Sequence, residues 1–204
     1  MSETEASGET RQTGAAGWWW GVAACVIVPW LSQPPLAWWP LGFLAITPYL
    51  FFVTFASDLG RRQLGMVFLG AFLYWALTLQ GLRHAHPVIY ICWLVLAAYL
   101  AAYPVIFVLA ARRLRTRRIP MIIVAPILWV GIECIRNYFL SGVSAAMLGH
   151  TMADVPLMIQ IADLGGSYAV SLVVSVINVA IYELIRFCFS PSKDRSFPIA
   201  SCVT

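Results

Sequence analysis

Charge is scarce in this chain. Of 204 residues only 11% are Asp, Glu, Lys or Arg, and Lys193 is the single lysine. Soluble domains carry about 25% charged and 45–50% apolar residues. Here 61% are hydrophobic and the mean hydropathy is +0.80, which leaves no room for a water-soluble domain of useful size. The five cysteines (Cys25, Cys92, Cys134, Cys188, Cys202) form no C-x-x-C pair and have no metal-type spacing with the three histidines. A disulfide framework and a zinc centre are therefore not expected, and neither a metal nor a cofactor is implied. The opening "MSETEASGETRQTGAA" lacks the basic n-region of a cleaved signal peptide and reads as a polar disordered tail over residues 1–16. Internal repeats and paired broken helices are absent, which argues against an inverted-repeat transporter.

What fills the chain instead is a series of apolar runs. Six can be marked, at 17–33, 36–56, 64–82, 88–111, 119–140 and 166–188. Each is near the ~20 residues that a helical span needs. The expected fold is all-α: a polytopic membrane protein of about six transmembrane helices over 17–188, followed by a short cytoplasmic tail, 189–204. Between the fifth and sixth runs, "SGVSAAMLGHTMADVPLMIQIADLGG" is too apolar for a solvated loop. It reads as an external amphipathic or re-entrant segment, and "LMIQIADL" has helical spacing.

Basic residues set the orientation. With a cytoplasmic N-terminus, the inner regions hold Arg11, Arg61, Arg62, Arg112, Arg113, Arg115, Arg117, Arg118, Arg186, Lys193 and Arg195. The outer side keeps only Arg83 and Arg136. That split follows the positive-inside rule and places both termini in the cytoplasm. It also explains "ARRLRTRRIP" as loop arginines at a membrane surface, so no nucleic-acid partner is expected.

A few polar residues interrupt the apolar runs. Glu133 and Arg136 in "WVGIECIRNYFLSG" are spaced i, i+3 and share one helix face. A helix starting near Ile119 places them about 20 and 25 Å along it, in the outer half of the bilayer. Asn137 and Ser141 extend this polar face. Either the two charges neutralise each other and pin the helix, or they belong to a site. Gln160 and Asp163 read as solvated surface groups, Asn178 as an interhelical hydrogen-bonding group, and His150 as a lone histidine. His84 and His86, two apart in a turn with no third ligand, read as loop residues.

The order of several stretches then becomes recognisable. "WWPLGFLAITPYLFF", "GMVFLGAFLYWALTLQGL", "LVLAAYLAAYPVIFVLAARRL", "APILWVGIECIRNYFLSG", "LGHTM" and "IQIADLGGSYAVSLVVSVIN" follow one another. Together, over roughly residues 17–187, they resemble the amino-terminal membrane domain of bacterial apolipoprotein N-acyltransferases. The most specific parts are Trp129–Glu133–Arg136 with Ser141-Gly142, and Ala162–Leu164–Gly165–Gly166–Tyr168 leading to Asn178.

The resemblance implies the inner membrane of a bacterium and a reaction. An acyl chain passes from a membrane phospholipid to an enzyme cysteine, then to the amino group of a diacylated lipoprotein. The family's catalytic Glu, Lys and Cys belong to a nitrilase-like domain on the outer face. Such a domain needs about 200 residues, and only "RFCFSPSKDRSFPIASCVT" follows the last run. No Glu-Lys-Cys set can be assembled around Lys193. No catalytic residue is therefore assigned, and the chain is expected to be a truncated or split enzyme, inactive alone, with a separately encoded nitrilase-like chain as partner. A six-span transport or binding protein using Glu133, Arg136 and Asn178, or a lipid-embedded scaffold, are the other readings. Within the resemblance, Glu133 and Arg136 become a polar pair supporting packing or a lipid entrance, rather than an acid–base couple.

Overall fold

A computed structural model of the chain describes residues 3–55, 60–84, 89–115, 117, 119–139 and 142–189. Side chains are described from Trp18 onward, apart from residues 55, 83 and 84. All regular structure among these residues is helical, in seven α-helices and three 3₁₀ turns. The helices are α1 (Glu3–Ser32), α2 (Thr47–Phe55), α3 (Arg61–Thr78), α4 (Ile89–Arg115), α5 (Met121–Tyr138), α6 (Pro156–Ile159) and α7 (Ala162–Phe189). The 3₁₀ turns are Trp39–Leu44, Gln80–His84 and Leu148–Met152. His86, Ser141 and the tail from 190 onward, Lys193 included, lie outside the described residues.

Three helices, α4, α5 and α7, are long and apolar enough to cross a membrane, and the apolar stretches Trp18–Ser32 and Trp39–Thr54 are shorter. The molecule is an all-α membrane protein. Its outward faces carry the residues that lipid favours: Ile91 and Val95 on α4, Ile123 and Ile127 on α5, Leu172 and Val176 on α7 are all exposed. Each pair is spaced i, i+4, so each marks one helix face turned away from the core. Packing joins α3 to α4, α5 to α7 and α1 to α3. Between them Leu50, Leu100, Phe107, Val174 and Tyr182 are fully enclosed.

Two sequence expectations meet a different local structure. α1 begins at Glu3, so the backbone of 3–16 continues the helix that was expected to start near residue 17. Glu, Ala, Gln and Arg favour helix, and no proline separates them from the apolar part. The second apolar run, 36–56, is not one helix. It divides into the Trp39–Leu44 turn and α2, with Ala45 and Ile46 between them. Pro40 and Pro48 each remove a backbone donor and restrict the preceding residue, and each stands in the first turn of the element it opens.

The break is repaired by side chains from elsewhere. Asn178 on α7 accepts from the Ile46 N–H at 2.9 Å and donates to the Gly42 carbonyl at 2.8 Å. Its amide also donates to Val174 O at 2.9 Å, within its own helix. Arg115, at the end of α4, donates to the carbonyls of Val53 and Thr54 at 3.4 and 3.3 Å, closing α2. Non-helical backbone within an apolar protein survives only where such partners exist.

A buried polar cluster behind a folded-back connection

The connection between α5 and α7 does not lie flat as one amphipathic helix. Its first part folds back, so that Leu148, Gly149, Thr151 and Met152 are buried. The stretches on either side, Gly142 to Ala146 and Ala153 to Gly166, are exposed or half-buried, with Leu157 and Leu164 turned outward. "LMIQIADL" forms just the four-residue α6 and the start of α7. The helical geometry of α7 is then interrupted at Gly165 and Gly166. Gly166, with φ 65° and ψ −160°, occupies a region that is essentially closed to residues with a Cβ. At Gly149 the turn presses on α7: a Cβ there would stand 2.6 Å from the Ser167 carbonyl.

Glu133 holds this turn in place. One carboxyl oxygen, Oε1, accepts from the Leu148 N–H at 2.7 Å and from the Trp129 indole N–H at 3.1 Å. Trp129 sits one helical turn before Glu133 on α5, so both donors converge on one atom. Ser171 of α7 accepts the next backbone N–H, from Gly149, at 2.8 Å. Two successive free donors at the start of the 3₁₀ turn are thus satisfied by two neighbouring helices.

Arg136 lies on the same face but does not pair with Glu133. No oxygen of Glu133 comes within 4.0 Å of its guanidinium, whereas Arg186 and Glu183, near the end of α7, do form a salt bridge. Arg136 instead donates to the Ala145 carbonyl at 3.0 Å and lies 5.0 Å from the centre of the Trp75 ring. That stacking is a cation–π contact from α3. The direct neutralising pair considered from the i, i+3 spacing is not formed, because each group reaches sideways to a different part of the connection. Both are almost fully buried, at 4% and 5% exposure. Glu133 Oε2 and Arg136 Nε have no hydrogen-bond partner.

The remaining sequence candidates divide between this cluster and the surface. Asn137 donates to the Tyr168 hydroxyl at 2.7 Å and to Met147 Sδ at 3.5 Å, tying the end of α5 to α7. His150 is half-buried in the 3₁₀ turn, outside the membrane-spanning helices. Burial pushes its pKa below the ordinary value, and the nearby Arg136 charge lowers it further. Gln160 and Asp163 are exposed and take no part in the cluster. Asn178 serves the Trp39–Leu44 break, a separate position.

A cavity of about 50 Å³ adjoins Glu133 and Arg136. Its walls include Ser32 and Gln33 from the end of α1, Tyr74 and Trp75 from α3, and Tyr103 from α4. The sequence reading did not include these residues. Trp75 and the tyrosines carried no signal beyond apolar spacing, while Gln33, a polar residue following an apolar run, could have been noticed. Gln33 donates to the Met147 carbonyl at 3.1 Å, bracing the residue just before the 3₁₀ turn. Among the described residues no group of His, Cys, Asp and Glu has the arrangement to hold a metal. Cys25 is buried; Cys92, Cys134 and Cys188 are exposed thiols.

The fold and this cluster define a polytopic α-helical membrane protein whose buried polar side chains fasten irregular backbone. Residues 27–180 match the family model of the apolipoprotein N-acyltransferase N-terminal domain. The chain belongs to the apolipoprotein N-acyltransferase family. It is 45% identical over 176 residues to the apolipoprotein N-acyltransferase of Rhodopirellula baltica, covering 80% of this chain and 30% of that protein. The corresponding protein of Geobacter metallireducens is 32% identical over 184 residues, 85% of this chain and 34% of its own length. That of Pasteurella multocida is 24% identical over 186 residues, 86% of this chain and 34% of its own. The chain thus spans about a third of the length of the curated relatives it matches.

Proposed function

We propose that these 204 residues form the membrane portion of an apolipoprotein N-acyltransferase. They hold the enzyme in the bacterial inner membrane and present phospholipid and diacylated lipoprotein to the nitrilase-like catalytic portion. Both termini face the cytoplasm in this reading, and the Leu148–Met152 turn lies toward the outer leaflet. These residues alone transfer no acyl group.

The observation that carries this reading is how the buried polar groups are used. Glu133 Oε1 is engaged by Leu148 and Trp129, and Arg136 by Ala145 and Trp75. Neither is set against a nucleophile. The buried thiol of Cys25 lies in α1, outside the Glu133 cavity lining. Acyl transfer through a thioester needs a cysteine beside a base, and no cysteine lines the cavity of Glu133.

The test is reconstitution. The purified chain is placed in phospholipid vesicles with a diacylated lipoprotein peptide, with and without the nitrilase-like portion of a relative, and the acyl mass increment on the peptide is followed. Transfer is expected only when both portions are present. Turnover by the 204 residues alone would overturn the proposal, as would failure of the two portions to associate.

A further inference from the structure

We propose that the cavity beside Glu133 and Arg136 is a binding site for a small cluster of water, which joins the two side chains as a solvent-mediated pair. The inference stands on geometry and does not depend on the family's reaction. Two polar atoms, Glu133 Oε2 and Arg136 Nε, are buried without a protein partner. They belong to side chains 4% and 5% exposed that both line the same cavity. One is an acceptor and the other an N–H donor, and no direct contact within 4.0 Å joins them.

Size decides the occupant. A single water needs about 10–15 Å³ of such space, so a cavity of about 50 Å³ takes a few molecules. Most of the wall is apolar, and the polar partners that water needs are offered where Glu133 and Arg136 stand. Tyr74, Tyr103 and Gln33 line the same space. Pro29 in α1 and Pro104 in α4 also line it. Glu133 and Arg136 therefore meet through water in this cavity.

Hydroxyl-radical footprinting of the full chain in phosphatidylcholine nanodiscs tests this, because radicals generated from bound water mark the side chains beside it. Labelling of Trp75 and Tyr74, buried at 3% and 7% exposure, should exceed by several-fold that of Met152. Met152 is more reactive but fully buried and outside the cavity lining. A pulse of ¹⁸O-water should label Trp75 more slowly than exposed Trp38. Ala45→Leu, which fills the cavity from a wall residue, should bring Trp75 labelling down toward the Met152 level. Wild-type labelling of Trp75 and Tyr74 as low as that of Met152 would show a dry cavity and overturn the proposal. So would unchanged labelling in a folded Ala45→Leu variant.

Discussion

The molecule contains two stretches of irregular backbone that rest on each other, and they are fastened differently. At the Trp39–Leu44 break, Asn178 uses its acceptor and both donor sites, on Ile46, Gly42 and Val174. No polar atom of Asn178 is left over. At the Leu148–Met152 turn, Glu133 uses one oxygen twice and leaves the other unpartnered, with Arg136 Nε in the same condition. A buried polar atom without a partner costs roughly 1–3 kcal/mol. The first clamp, Asn178, is a closed hydrogen-bonding unit, though the Thr47 hydroxyl beside that break has no partner either, and the second stays open toward a cavity. Function concentrates where polar groups in an apolar protein are not fully consumed by structure, so the open clamp is the candidate site and the closed one a girder.

Exchanging a single side-chain atom separates the two. Asn178→Asp turns the donor that faces the Gly42 and Val174 carbonyls into an acceptor. Two buried acceptors then face a third, and a loss of about 4 kcal/mol in unfolding free energy follows. Denaturant unfolding in detergent micelles measures it, and a loss under about 1 kcal/mol would remove the distinction between girder and site.

Next in size is Gly166→Ala. The positive φ with extended ψ must be kept for α7 to pass beneath the folded-back connection, and an added Cβ costs about 2 kcal/mol there. The same change at Gly131, where a Cβ would meet nothing within 4 Å on α5, should leave stability unchanged or slightly raised. Equal losses at the two glycines would refute the backbone explanation.

Glu133→Gln should cost only about 1 kcal/mol, because a carbonyl oxygen still accepts from Leu148 and Trp129 while the new amide meets the open side. Its small size beside Asn178→Asp is the sharpest form of the comparison. A loss as large as that of Asn178→Asp would mean that the charge of Glu133, rather than its accepting oxygen, holds the turn.

Much of this was legible in the sequence, for physical reasons that differ by residue. The apolar runs reveal helices in lipid because no other element satisfies its backbone there. Glu133, Arg136 and Asn137 stood out because charge and amide groups are rare in such runs, and the structure brings all three to the connection after α5, Asn137 through Met147 Sδ. The division of 36–56 was written in Pro40 and Pro48 but hidden by continuous hydropathy. Asn178 stood out as a hydrogen-bonding group, yet its partners lie more than 130 positions away, and spacing along a chain carries no information about such pairs. Trp75 was illegible for the same reason: the contact with Arg136 depends on how α3 packs. The missing Glu133–Arg136 contact shows that sharing a helix face does not make two residues partners.

The smallest expected effect concerns pH at the open clamp. His150 has a folded-state pKa below its ordinary 6.5 because of burial and the Arg136 charge. Between that lowered value and 6.5 the unfolded chain binds more protons than the folded one, so stability falls as the pH falls through this window. Above 6.5 the histidine is neutral in both states and contributes no pH dependence. His150→Gln, neutral at every pH, should flatten the acid side of the stability profile while leaving the neutral side in place. The Trp39–Leu44 break provides the contrast, since Asn178 does not titrate and Asn178→Asp should lower the profile on both sides. An acid-side decline that survives His150→Gln would assign it to other groups and detach His150 from the clamp.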